Sequence, residues 1–254
     1  MKSIIQFAIR FLPRTFQQRF GKQLLNILAF FLQGYRYQCP VDGRTYLRFL
    51  PYGRIASRPN ALCPGSLTLE RHRLMWLFLQ NKTNFFTQPH KLLHVAPEIC
   101  FIDHFEAMPN LEYITADLES PWAKVKMDLH DIPFEDNTFD VVFCNHVMEH
   151  VDDDIRCMSE LQRVLRPGGW AIIQSPVYDM PNTREDPGIT DPAERERLFG
   201  QRDHVRMYGN DYAERLRKGG FKVTEDDYIG TFTEEQVRWY SLMEGEVIFF
   251  CEKV

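Results

Sequence analysis

From about residue 91 onward, short apolar runs alternate with stretches of helical period. Residues 92–96, 113–116, 125–127, 139–144, 170–174, 221–224 and 245–251 read as buried strands, most of them closed by an acidic or turn-forming residue. Residues 97–107, 152–165 and 211–218 read as helices. The first has Pro97 in an allowed first-turn position, Arg166-Pro-Gly-Gly169 stops the second, and Gly219-Gly220 caps the third. Strand-helix alternation with short turns predicts a doubly wound α/β domain whose parallel sheet is covered on both faces.

The first third of the chain has a different pattern. Residues 4–12 predict a short amphipathic helix with Ile5, Ala8, Ile9 and Leu12 on one face, ended by Pro13. A second helical stripe runs through Phe16, Phe20, Leu24, Ile27, Leu28 and Phe31, with Lys2, Arg10, Arg14, Arg19 and Lys22 on the polar sides. Two Cys-Pro turns follow, at Cys39 and Cys63. They have the look of zinc-ribbon knuckles whose second ligand positions hold Asp42 and Ser66, so a ribbon-like fold without metal is expected. Residues 67–82 predict a helix, apolar on one side with Arg71 and Arg73 on others. The domain reading is therefore basic helices at 1–35, a ribbon-like region and linking helix at 36–88, and the α/β domain at 89–254.

Charge sharpens this division. Residues 1–80 hold 12 Lys and Arg against Asp42 and Glu70, while residues 81–254 hold 18 basic and 33 acidic residues. A basic amphipathic stripe suits peripheral contact with an anionic membrane surface through residues 1–35. The longest uncharged N-terminal stretch, 23–35, is too short and too polar to span a bilayer, and no secretory cleavage pattern is seen. Six scattered cysteines read as buried free thiols, which points to the cytoplasm. No nucleic-acid motif is present.

In a doubly wound sheet, ligands bind beyond the carboxyl ends of the strands. Those ends carry the run His94-Val95-Ala96-Pro97-Glu98, Asp117, Asp128 and the pair Asn145-His146. Carboxylates after the second and third strands suit ribose hydroxyls and an amino-purine. The long charged segment 177–210 is the expected substrate loop.

Four runs carry a family resemblance: Tyr-Ile-Thr-Ala-Asp117; Met-Asp128-Leu-His-Asp-Ile-Pro-Phe; Asn145-His146-Val-Met-Glu149-His150; and Glu160-Leu-Gln-Arg-Val-Leu-Arg-Pro-Gly-Gly169. Together they resemble class I S-adenosylmethionine-dependent methyltransferases of the type 11-like group. The likeness implies a Rossmann-like seven-stranded sheet, mostly parallel with an antiparallel last strand. It implies S-adenosyl-L-methionine as cofactor and S-adenosyl-L-homocysteine as product. Asp117, with Leu118 beside it, would hold the ribose, Asp128 and Leu129 the adenine, and Asn145 and His146 the methionine part. His94, Ala96 and Glu98 form the first turn, where the family has an acidic residue and two glycines, so Glu98 would supply the missing carboxylate. Glu185, Asp186, Arg206 and Tyr208 are expected to contact a small-molecule or carrier- or lipid-linked acceptor. Glu149, His150 or His204 would serve as base for a hydroxyl acceptor.

Two other readings compete. The altered first turn and ribbon allow a non-catalytic binding or scaffold protein. The run His146-Val-Met-Glu149-His150 also matches the inverted zinc-peptidase helix motif, though it directly follows a strand.

Overall fold

The computed structural model describes residues 25, 27–53 and 57–254. The expected helix at 4–12, and the second stripe as far as Leu24, lie outside them. In chain order the elements are β1 (Gln33–Gln38), β2 (Thr45–Tyr46), β3 (Leu50–Tyr52), β4 (Arg58–Leu62), α1 (Glu70–Lys82), β5 (His90–Val95), α2 (Ile99–Glu106), β6 (Leu111–Asp117), β7 (Val125–Lys126) and β8 (Phe139–Asn145). There follow α3 (Asp154–Val164), β9 (Leu165–Gln174), β10 (Arg184–Glu185), α4 (Pro192–Phe199), β11 (Arg206–Met207), α5 (Tyr212–Lys218), β12 (Lys222–Asp226), α6 (Glu234–Tyr240) and β13 (Ile248–Glu252). No helix among the described residues is long and apolar enough to cross a membrane.

The described residues form two compact units: those up to Thr83 with Tyr228–Glu246, and Asn84–Asp227 with Val247–Val254. The sequence reading ran its α/β region unbroken from 89 to 254, whereas residues 228–246 pack in the first unit. The reason is Arg73, assigned by its charge to a polar side of α1 but wholly buried. Its guanidinium donates to the carbonyls of Tyr240 at 2.7 Å, Ser241 at 2.5 Å, and Ala61 and Thr68 at 2.9 Å each. It also sits 4.8 Å from the Phe49 ring centroid. Burying a guanidinium requires this full set of acceptors, and only tertiary structure supplies them.

In the same unit β1 pairs with β2, and β3 with β4, both antiparallel. The two Cys-Pro turns close alike, with the Gly43 amide donating to the Cys39 carbonyl at 2.9 Å and that of Leu67 to Cys63 at 3.0 Å. Cys39, Asp42 and Cys63 converge, one potential ligand atom of each lying within 4.8 Å of the others. Asp42 also accepts from the Tyr46 hydroxyl at 2.7 Å, and Cys39 Sγ lies 3.1 Å from Ser66 Oγ. Burial pushes the Cys63 thiol up, but bonds from Cys39 and Ser66 outweigh it and bring the thiol to about 7. All six cysteines are buried and free.

The second unit holds the seven-stranded sheet, in the order β12-β13-β9-β8-β5-β6-β7. β5, β6, β7, β8 and β9 are mutually parallel, and only the last strand, β13, runs against its neighbours. Leu93, Val95, Val142, Cys144, Ala171 and Ile173 form its buried centre with Leu161 and Val164 of α3. Residues 166–169, expected to end α3, already belong to β9. The order reverses between β5 and β8, and in doubly wound sheets ligands bind beyond the strands' carboxyl ends at such a point.

Candidate active site

β5 ends in a turn that α2 continues. Ala96 holds φ of 47°, and its amide donates to the Ala116 carbonyl at 2.9 Å. That left-handed conformation is one glycine adopts freely; alanine takes it at a cost of about 1 kcal/mol. His94 is fully buried. Its Nδ1 lies 2.8 Å from the Tyr113 hydroxyl, and its Nε2 makes a short bond to Glu98. Burial holds the Tyr113 phenol protonated, so it donates to Nδ1 and the imidazole donates from Nε2 to Glu98. The other Glu98 oxygen accepts from Asn145 Nδ2 at 2.9 Å. Glu98 thus ties β5 to β8 across the reversal point.

Asp117 and Asp128 stand at neighbouring strand ends. Asp117 Oδ1 accepts from the Glu119 and Ser120 amides at 2.7 and 2.6 Å, which leaves Oδ2 without a hydrogen bond among the described residues. Leu118 is 63% exposed, although it is large and apolar. The amide and imidazole of His130 both bond Asp128 Oδ1, at 2.9 and 2.8 Å, and hold that carboxylate below its usual range. Nε2 of His130 accepts from the Asp153 amide at 3.3 Å, so one imidazole links the Asp128 turn to the start of α3. Leu129 is buried.

Beyond β8, His146 is left-handed with φ of 56°, its amide donating to the Gln174 carbonyl at 2.7 Å. Its Nδ1 lies 3.3 Å from Glu149 Oε1, while Glu149 Oε2 accepts from Ser175 Oγ at 2.9 Å. Burial pushes the Glu149 carboxyl up, but His146 outweighs it and the group stays ionised. His150 and His204 meet edge to face with ring centroids 4.7 Å apart. Residues 148–150 form a turn, not a helix. The peptidase geometry, with two histidines one helical turn apart, is therefore absent from this stretch.

The expected substrate residues fall into two kinds. Glu185 and Asp186 are exposed, with Asp186 bonding the Gly188 amide at 2.9 Å. Arg206 and Tyr208 are buried, contrary to an acceptor-facing role. Arg206 donates to the carbonyls of Met148, Val151 and Asp152 and to Glu185. Tyr208 donates to the Met148 carbonyl at 3.0 Å and lies 2.8 Å from Asp154 Oδ2. Asp154, which sequence reasoning missed, is 2% exposed and takes two bonds from Arg215 at 2.7 and 2.8 Å. These groups clamp the turn that carries Glu149 and His150. Asp154 follows two other aspartates, so only burial singles it out; the strand-end rule points to Asp128 and gives no signal for His130.

Known proteins show corresponding features. Residues 98–173 match the family model described as a methyltransferase domain, a stretch from the first turn through nearly all of β9. The sterol 24-C-methyltransferase erg6 of Schizosaccharomyces pombe is 29% identical over 140 residues, 53% of this chain and 35% of that protein. The tRNA U34 carboxymethyltransferase of Campylobacter curvus is 32% identical over 88 residues, 35% of this chain and 26% of that one. The chain thus spans about a third or less of the length of these relatives. Among solved structures, that of the cyclase SpnF superposes with a TM-score of 0.50 at 14% identity, covering 93% of this chain and 96% of that one, which is a likeness of fold. Sheet order, reversal point and matched stretch agree: residues 98–173 match a methyltransferase domain, and they lie within the seven-stranded sheet of that fold.

Proposed function

We propose that this chain transfers a methyl group from S-adenosylmethionine to a small-molecule or carrier- or lipid-linked acceptor. The observation that carries the reading is the set of strand-end groups around one reversal point, inside the matched domain. Asp117 Oδ2 accepts the ribose hydroxyls. Leu118 and Leu129 flank the adenine, and Asp128 accepts from its exocyclic amine. The turn at Ala96 passes beneath the carboxypropyl chain, where Glu98 supplies the carboxylate that His94 does not, and Asn145 and His146 line the methionine part. The acceptor lies over the segment 177–210, with Glu185 and Asp186 at its rim. The acceptor's nucleophile attacks the methyl carbon, the sulfonium–methyl bond breaks, and S-adenosylhomocysteine leaves. For a hydroxyl acceptor the proton passes to the Glu149, His150 and His204 cluster. Positioning of the two reactants supplies much of the rate.

A lipid-linked acceptor is supported by the sterol relative and by the exposed Ile27, Phe30 and Phe31 beside the basic N-terminal segment. Sedimentation with anionic vesicles tests that contact. Calorimetric titration with S-adenosylmethionine and S-adenosylhomocysteine tests the central claim. Micromolar binding abolished by Asp117→Ala is the expected result. A folded, monodisperse protein that binds neither ligand would move the weight to the scaffold reading.

A further inference from the structure

Glu149, His150 and His204 come from segments more than fifty residues apart, and the Val205 amide joins these segments by donating to the Glu149 carbonyl at 2.9 Å. One potential ligand atom of each side chain lies within 4.8 Å of the other two. Both imidazoles have Nδ1 committed to a backbone carbonyl: His204 to Phe199 at 3.0 Å, His150 to Asp203 at 3.2 Å. A carbonyl only accepts, so each Nδ1 carries the proton, and a ring in this tautomer presents its lone pair at Nε2. His204 is 3% exposed, and its Nε2 is buried with no hydrogen-bond partner. A buried acceptor left unsatisfied is costly, so the atom calls for a ligand. Glu149 is 2% exposed and held in place by Ser175 and His146, yet each of its oxygens has a second lone pair.

Imidazoles oriented through Nδ1 by carbonyls, beside a carboxylate fixed by a hydroxyl, are the donor set and outer support of a transition-metal centre. We propose that Glu149, His150 and His204 bind a divalent cation of the zinc class, leaving a coordination position open on the side of His150. Ligands at zinc–nitrogen distance stand about 3.3 Å apart in a tetrahedron, so the cluster closes by small side-chain rotations. His150 is the one with room to turn, its side chain being 33% exposed. The role of the cation, though not the existence of the site, rests on the methyl-transfer reading: it would bind the acceptor oxygen and lower its pKa, so that the proton passes to solvent water before the methyl arrives, and the three side chains would then serve as ligands in place of a base.

The test uses the full chain, stripped by a chelator, carrying Cys39→Ser and Cys63→Ser to silence the other cluster. It is titrated with Zn²⁺ by calorimetry and with Co²⁺ by absorption, and separately with S-adenosylhomocysteine. We expect one equivalent of Co²⁺ with visible ligand-field bands and no thiolate charge-transfer band. His204→Gln should weaken binding by at least about tenfold. His150→Gln, at a partly exposed position that tolerates change, should do the same with an unaltered circular dichroism spectrum. A folded protein that binds S-adenosylhomocysteine but no cation overturns the metal site and spares the methyl-transfer reading. Equal affinity in both histidine variants also overturns it. Cation uptake without S-adenosylhomocysteine binding upholds the site and removes its proposed role.

Discussion

Asp154 is buried beneath the turn of Glu149 and His150 and meets Arg215, Arg206 and Tyr208. Burial alone would raise its carboxyl, but the bonds from Arg215 and the charges of Arg206 and Arg215 outweigh it and hold the group below the usual range. A carboxyl whose folded value is depressed stabilises the fold above its unfolded pKa of about 3.9 and loses that contribution as pH falls through the folded value. Thermal melts from pH 7 downward should therefore show stability dropping below about pH 4, less steeply in Asp154→Asn. Arg206→Met leaves Asp154 and Glu185 short of a partner and should cost about 3–5 kcal/mol in urea unfolding. The long charged loop and the family resemblance suggest that Arg206 and Tyr208 face an acceptor; the carbonyls they satisfy lie more than fifty residues upstream, beyond the reach of any local pattern. At Ala96 the left-handed backbone leaves little room for a β-branched residue. Ala96→Val should cost more than about 1 kcal/mol and reduce S-adenosylhomocysteine affinity, while Ala96→Gly should stay within about 1 kcal/mol of the parent.

At the scale of elements, strand ends were legible because buried parallel strands are continuous apolar runs that stop abruptly at a polar residue. α3 starts where an aspartate run allows a cap, and Asp153 Oδ1 accepts from the Arg156 amide at 3.0 Å. Asp153→Ala should lower stability by about 1 kcal/mol. The short elements were not legible. α4 and α6 have no apolar stripe, and almost every residue in them is exposed or half-buried. The antiparallel pair β10 and β11 has two residues a side, held by Arg184 opposite Met207 and Glu185 opposite Arg206. The 177–210 segment is pinned at Gly209, where an added Cβ would stand 2.6 Å from backbone atoms of Met180 and Asn182. Gly209→Ala should destabilise by about 1–3 kcal/mol, read by chemical denaturation, because a backbone cannot yield as a side chain does.

At the scale of the whole molecule, a ligand that binds only the folded state raises stability by mass action. S-adenosylhomocysteine at a hundredfold excess over its Kd should add about 2.7 kcal/mol, seen as a higher calorimetric melting temperature, and Asp117→Ala should abolish the gain. The sequence by itself determined the α/β class, the strand ends and the residues placed on them, because buried runs, breaker residues and acidic stops are local properties of the chain. That Asp117, Asp128 and Asn145 stand at the ends of nearby strands of one sheet depended on strand order, which no local pattern encodes. Tertiary structure alone decided which charged groups are buried. Arg73, Asp154 and Arg206 differ from exposed neighbours of the same type only in the distant partners that folding brings to them. Those partners make their burial tolerable, because a charge leaves water only where hydrogen bonds and counter-charges replace it.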